Sequence, residues 1–172
     1  MEIKDSGERR EFESGAVRDI QEGKGRCDLL PLDMVDMLLS YRESEDRSVK
    51  GWTPLVYLYL FSHNLDSGCV DELHFLFEAL IAFSDIKKWD LPTMLLEVSK
   101  HFEDGAKKYG ERNWQKGIPL HCYIDSAARH YLKWWRGDFD ESHDRAFVWN
   151  VLCCAWTYWH KPECNDLKRE EE

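Results

Sequence analysis

From Pro31 onward the apolar residues recur at helical spacing. Leu32, Met34, Val35, Leu38 and Leu39 predict a helix running to about Tyr41. Residues 42–51 are polar and read as a loop. Thr53-Pro54 is a helix start, since Thr caps and Pro is tolerated in the first turn. The apolar run Leu55–Phe61 that follows is also compatible with a short buried strand, and Asn64–Gly68 breaks it. Val70 to Phe83 reads as a helix with Leu73, Phe77, Leu80 and Ile81 on one face. Asp90-Leu-Pro-Thr opens a helix over about 91–109, with Leu95, Val98, Phe102 and Ala106 as its core stripe and Gly110 as its stop. A loop over 110–119 leads to a helix over about 119–136. It carries Ile124, Ala127, Ala128, Tyr131 and Trp135 as apolar positions and ends at Gly137. The last helix runs from about Asp140 to His160, with Ala146, Trp149, Leu152, Cys153 and Trp156 on its apolar face, and stops at Pro162.

These signals sum to five or six helices with no confident strand. The fold class expected is an all-α, single-domain helical bundle. Residues 1–30 show neither a helical nor a strand period. They carry Gly7, Gly15, Gly23 and Gly25 among charges, so residues 1–31 read as an ordered N-terminal arm. No internal repeat is evident.

Composition narrows the function classes. The 172 residues suffice for one core. Eight Trp among 13% aromatic residues suggest a dense core, a ring-binding pocket or an adhesive oligomer face. The net charge of −10 argues against binding nucleic acid polymer through its backbone. It leaves room for one nucleotide, because a metal can bridge carboxylates to phosphates. Part of the acidity lies in the tail 161–172, which ends in Glu170, Glu171 and Glu172. The six Cys form no C-x-x-C pair and read as reduced thiols of a cytoplasmic protein. The charged start, Met1 to Phe12, does not resemble a signal peptide, and Leu55–Phe61 is too short to span a bilayer, so no membrane partner is expected.

Four groups of residues can carry chemistry. In the arm, Arg18 is followed by Gly23-Lys-Gly-Arg26, where backbone N–H groups with Lys24 and Arg26 can surround a phosphate; a solvent-exposed loop gives the same pattern. On the helix over 91–109, Glu97 and His101 are four apart, and Lys108 falls on nearly the same face. That stripe serves a metal and its phosphate ligand, or simply solvent. Tyr109, Asn113 and Trp114 follow, with groups that read a base edge or stack on it. On the next helix, Asp125 and Arg129 are four apart, as are Ser126 and His130, so a structural Asp125–Arg129 salt bridge is an equal reading. Last comes the acidic segment Asp138-Phe-Asp-Glu-Ser-His-Asp144. Glu141 and Asp144, three apart, are suited to Mg²⁺ or to the positive end of a helix dipole. Asn150 falls on the face of His143 and calls for a specific hydrogen-bond partner. The His143-Asp144 dipeptide also fits an HD-type phosphohydrolase, with His101, His130 and Asp125 as further ligands.

Taken in order, these blocks resemble a phage and bacterial family, the dATP/dGTP diphosphohydrolase N-terminal domain type. The resemblance rests on Phe12-x-Ser-Gly-Ala-x-Arg-Asp19, Gly23-Lys-x-Arg-x-Asp-Leu-Leu-Pro31 and Gly105-Ala-x-Lys-Tyr-Gly110 with Asn113-Trp114. It continues through Arg129-His130, Gly137 with its acidic pair, and His143 with Asn150, and covers about 80 residues. Against the family pattern, residues 35–90 read as an inserted helical segment, a cap or an oligomer interface, ahead of core helices over 91–160. The family is distantly similar to the all-α NTP pyrophosphatases of the MazG type, which use paired E-x-x-E and E-x-x-D motifs. Glu141-Ser-His-Asp144 fits the second, and Glu97-x-x-x-His101 is the nearest substitute for the first.

The resemblance implies a hydrolase converting a purine (deoxy)nucleoside triphosphate to monophosphate and pyrophosphate with Mg²⁺ or Mn²⁺. Glu97, Asp125, Glu141 and Asp144 are then expected at the metal, and His130 and His143 orient ligands or water. Arg18, Lys24, Arg26, Lys107, Lys108 and Arg129 hold phosphate, while Tyr109, Asn113, Trp114 and Asn150 hold base or sugar. It also implies a homo-oligomer, working in the host cytoplasm if phage-encoded. Two alternatives stand beside it: a protein that sequesters a nucleotide without turnover, and a Trp-rich assembly module.

Overall fold

The computed structural model describes residues 7–43, 52–63 and 72–167. It is all-α, with six helices and one small hairpin among the described residues. The hairpin pairs β1 (Arg9–Glu11) antiparallel with β2 (Val17–Asp19), with Arg10 opposite Arg18. The sequence gives no warning of these strands. Each has three residues, all exposed, so no alternation marks a buried face. The turn closes through Phe12 N–H to Ala16 O at 2.9 Å and Gly15 N–H to Phe12 O at 2.8 Å.

The helices are α1 (Leu32–Glu43), α2 (Pro54–His63), α3 (Leu73–Lys87), α4 (Leu91–Tyr109), α5 (Leu120–Arg136) and α6 (His143–His160). The Leu55–Phe61 run is therefore helix, not strand. The loop expected over 42–51, the break at Asn64–Gly68 and the end of the acidic tail lie mostly outside the described residues.

The punctuation of α4 and α5 is where the sequence places it. Asp90 caps α4, its carboxylate accepting from Thr93 N–H at 2.7 Å, with Pro92 in the first turn. Gly110 and Gly137 end the two helices at positive φ. Helix α6 starts later than expected. The acidic residues before it are drawn back to the end of α5, with Asp138 on Arg136 and Asp140 on Lys133, so helix begins only at His143.

Helix α6 is the centre of the bundle, packing against α5, α4 and α3. It is buried on most sides through Phe147, Val148, Val151, Leu152, Cys153 and Cys154. Burial holds the two thiols well above the usual cysteine range, and the described cysteines are unbridged. Segment 35–90 is part of this core: Phe61 of α2 and Leu76, Leu80, Ile81 and Phe83 of α3 are buried in the same cluster. On α5 the inward positions are Leu120, Tyr123, Ala127 and Tyr131. Trp135, expected on the apolar face, is 65% exposed because it points off the outer side of the helix. Among the described residues no helix is long and apolar enough to cross a membrane.

Candidate functional site

The C-terminal half of α4 and the middles of α5 and α6 leave a pocket of about 420 Å³ between them. Its floor and walls are aromatic. Trp149 of α6 stands 6.0 Å from Phe102 and 5.9 Å from His101, ring centre to ring centre. The 3-10 turn Asn113–Lys116, forced by Arg112 at φ 55° and closed by Gly117, folds Asn113 and Trp114 over one side. Tyr109 stands at the rim, 62% exposed, with the Lys108 ammonium 4.9 Å from its ring centre. Leu29 of the arm closes the remaining wall.

The polar groups in this lining are few and oriented. Asn150 is buried and its Nδ2 donates to Ala146 O at 2.8 Å. That bond fixes the amide orientation and leaves Oδ1 of this pocket-lining residue as an acceptor. Asn113, Ser126 and His130 add further polar edges. Four residues expected to hold base or sugar, Tyr109, Asn113, Trp114 and Asn150, are thus brought together, and His130 joins them. Trp114 is also structural. It is buried edge-on against Trp156 at 5.0 Å and Phe102 at 5.8 Å.

His130 belongs to a second group at the edge of the pocket. Its Nδ1 lies 3.0 Å from Nδ1 of His143 and 3.5 Å from Oε1 of Glu141, and the same carboxylate oxygen lies 3.4 Å from His143 Nδ1. His143 is almost wholly buried, and its Nε2 meets Asp140 Oδ1 at 2.8 Å. Lys133 and His143 together hold the Asp140 carboxyl far below the usual range. Burial pushes the His101 and His130 imidazoles toward their neutral forms, against the pull of nearby carboxylates. Two sets among the described residues have ligand atoms close enough to share a cation: His130, Glu141 and His143, and Asp138, Asp140 and His143.

The four carboxylates expected at a metal do not converge. Glu97 is taken by Lys100 and by Arg145 of α6, whose Nε lies 2.9 Å from it. Those partners lower its pKa, Lys100 most. Asp125 pairs with Arg129, the structural reading of that spacing. Asp144 turns to Lys87 of α3 at 2.7 Å. Glu141 precedes α6 rather than lying on it, so its three-residue spacing from Asp144 does not align them on one face. The two side chains of the His143-Asp144 dipeptide likewise go to different partners, His143 to His130 and Asp140 and Asp144 to Lys87.

The arm is also placed differently from a phosphate cradle. The N–H groups of Gly23 and Gly25 both donate to the carboxylate of Glu103 on α4, at 3.0 and 2.9 Å. These donors, Gly23 first, with Lys107, keep Glu103 below the usual glutamate range despite its burial. Arg26 N–H donates to Ser99 O at 2.9 Å, and its guanidinium bridges Asp28 and Glu111, which raise its pKa. Lys24 lies 3.5 Å from Asp19, Lys107 lies 3.0 Å from Glu103, and Arg18 sits exposed on β2. Arg26 is tied to the pocket indirectly: it holds Asp28, whose backbone O accepts from Arg112 of the pocket at 2.7 Å. Arg129 reaches the pocket through Ser126, whose Oγ accepts from it at 2.9 Å.

Sequence reasoning missed Arg112, Trp149 and Asp140. Trp149 was read as core face, and helical spacing alone does not separate a core ring from a pocket ring. Asp140 stands three before His143 in the acidic run, a spacing that was available as a signal but was not read as one.

The fold and site define an all-α protein with an aromatic pocket of about 420 Å³ beside a cluster of histidine and carboxylate side chains close enough to share a cation. Residues 77–167 match the model of the family described as dATP/dGTP diphosphohydrolase, N-terminal, and the chain belongs to that family. The match contains the pocket apart from Leu29, and all of the histidine group. It begins within α3, so residues 77–90 of the supposed insertion belong to the matched region and the arm lies outside it. The match does not extend to MazG-type pyrophosphatases. No curated protein and no solved structure matches the chain.

Proposed function

We propose that this chain hydrolyses a purine deoxynucleoside triphosphate to the monophosphate and pyrophosphate, with a divalent cation, Mg²⁺ or Mn²⁺, at the phosphates. The observation that carries the reading is the pocket. Its rings offer a stacking surface, and Asn150 Oδ1 is an acceptor suited to the exocyclic or ring N–H of a purine edge. The family description supplies the reaction class. His130 ties the base pocket to the group that can hold a cation, so a triphosphate would run from the rings toward Glu141 and His143. Lys108, beside Tyr109 at the rim, and Arg129, on leaving Asp125, would turn onto phosphate oxygens.

In this scheme water attacks the α-phosphorus. A water oxygen–phosphorus bond forms, the bridging α–β bond breaks, and pyrophosphate departs with the electron pair. A cation held by His130, Glu141 and His143 would neutralise the developing charge and lower the pKa of the attacking water. The chain's own groups hold the base, exclude water with Trp149 and Phe102, and orient the nucleophile through His130 and His143.

One observation favours sequestration as a second reading. Glu97, Asp125 and Asp144 are all occupied by cationic side chains, so no all-carboxylate cage is formed among the described residues. Leu132 and Trp135, three apart and exposed on α5, support the expected homo-oligomer under either reading. A panel of dNTPs and NTPs with Mg²⁺ or Mn²⁺, read by chromatography beside Glu141→Ala, separates the two. Conversion of purine triphosphates, lost in the variant, is expected for the hydrolase. Nucleotides bound and returned intact on denaturation would replace it with sequestration.

A further inference from the structure

We infer that His130, Glu141 and His143 form a three-ligand site for one divalent transition-metal ion of the Mn²⁺, Fe²⁺, Co²⁺ and Zn²⁺ class, selective against Mg²⁺. The three ligand atoms, His130 Nδ1, His143 Nδ1 and Glu141 Oε1, stand 3.0, 3.4 and 3.5 Å from one another. Ligands about 2.1 Å from such an ion are separated by about 3.0 Å at right angles and about 3.4 Å at the tetrahedral angle. The observed triangle therefore has the dimensions of one face of a metal polyhedron, and two imidazoles with one carboxylate on a face leave the opposite positions open.

The surrounding hydrogen bonds select the same arrangement. Asp140 Oδ1 accepts from His143 Nε2, which places the ring proton on Nε2 and the lone pair on Nδ1, toward the triangle. Lys133 in turn holds Asp140 at 2.8 Å. The competing set, Asp138 with Asp140 and His143, has both carboxylates committed to Arg136 and Lys133. Glu141 has no Lys or Arg within ion-pair distance among the described residues, so its charge is available to a metal.

Imidazole nitrogen is a borderline donor that suits Mn²⁺ through Zn²⁺. Mg²⁺ prefers an all-oxygen octahedron and keeps its water. Because His130 also lines the pocket, an ion here would face a ligand held by the aromatic rings, and only that last role rests on the proposed hydrolysis.

The test titrates chelator-treated full chain, without nucleotide, with Co²⁺ alone and Mg²⁺ alone, by calorimetry and by the visible absorption of cobalt. One equivalent of Co²⁺ is expected to bind at least about 100-fold more tightly than Mg²⁺. Glu141→Gln and His130→Ala should each weaken Co²⁺ binding about 10- to 100-fold, and Asp140→Asn about 10-fold. Asp138→Asn should leave it unchanged. His143→Ala is avoided because that ring is buried, whereas Glu141 is about half exposed and its variant should keep the fold. Co²⁺ binding equal in wild type and Glu141→Gln, or Mg²⁺ binding as tightly as Co²⁺, would overturn the inference. Tight Co²⁺ binding without nucleotide turnover would uphold it and overturn the hydrolase instead.

Discussion

Gly25 is where the arm meets the body of the protein, and Gly25→Ala should pry the two apart. An added Cβ would lie 2.1 Å from Ser99 Oγ, 3.0 Å from Lys100 N and 3.1 Å from Ser99 C. The last two atoms are helix backbone and cannot swing aside. Ser99 is itself buried, with its Oγ donating to Leu96 O at 2.7 Å. The glycine also sits at φ +85°, where a side chain costs about 1–2 kcal/mol. Overpacking adds about 1–3 kcal/mol, for a total of about 2–5 kcal/mol. Against it stand one backbone hydrogen bond to Ser99, worth about 1 kcal/mol, and two to the Glu103 carboxylate, about 1.5–3 kcal/mol each. The strain is thus comparable to the energy of these three bonds. The detached fraction should rise about 30-fold or more while the core of α3–α6 keeps its stability, because the arm opens as a local unit. Amide hydrogen exchange reads this directly. Gly23, Gly25 and Arg26 should lose protection, α6 should not, and KM for nucleotide should rise because Leu29 is a pocket wall. Unchanged protection at Gly25 and Arg26 would refute the docking argument.

The same anchorage should respond to acid. Glu103 is a carboxyl whose folded pKa is depressed, so its stabilisation is present above the unfolded value of about 4.3 and lost as pH falls through the lower folded value. Exchange protection of Gly23 and Gly25 should therefore hold down to about pH 4 and fade below it, and fading already near neutral pH would contradict the assignment. Tyr109→Ala should leave the melting temperature unchanged, since the ring is exposed. It should weaken nucleotide binding by about 1–3 kcal/mol if the ring stacks on the base, as calorimetry would show. Trp114→Ala, by contrast, removes a buried ring and should destabilise the fold by about 3–5 kcal/mol in a denaturant titration. Glu97→Gln should act on stability, by about 1 kcal/mol, through its partly exposed pairs with Lys100 and Arg145. A variant of unchanged stability that no longer binds Co²⁺ would instead make Glu97 a metal ligand.

The helices were legible where residues punctuate them locally. Asp90, Gly110 and Gly137 act on their own backbone, so the bounds of α4 and α5 follow from the sequence. The start of α6 does not, because Arg136 and Lys133 of the preceding helix capture Asp138 and Asp140, a contact that spacing along α6 cannot reveal. The pocket was readable in part: Tyr109, Asn113, Trp114 and Asn150 carry the right chemistry and do converge. The metal expectations show the limit of that approach. Carboxylate spacing finds oxygen donors but is blind to cations supplied from elsewhere, such as Arg145 to Glu97 or Lys87 to Asp144. The arm shows it again. Gly-Lys-Gly-Arg has the backbone donors of an anion cradle, but Glu103, some eighty residues away, supplies the anion.

The most direct test of the account is hydrolysis of dATP and dGTP in ¹⁸O-labelled water with Mn²⁺, read by mass spectrometry of the products. Attack at the α-phosphorus predicts dAMP and dGMP carrying one ¹⁸O each, with unlabelled pyrophosphate. Intact triphosphates, label in the pyrophosphate, or release of nucleoside with inorganic triphosphate would contradict it.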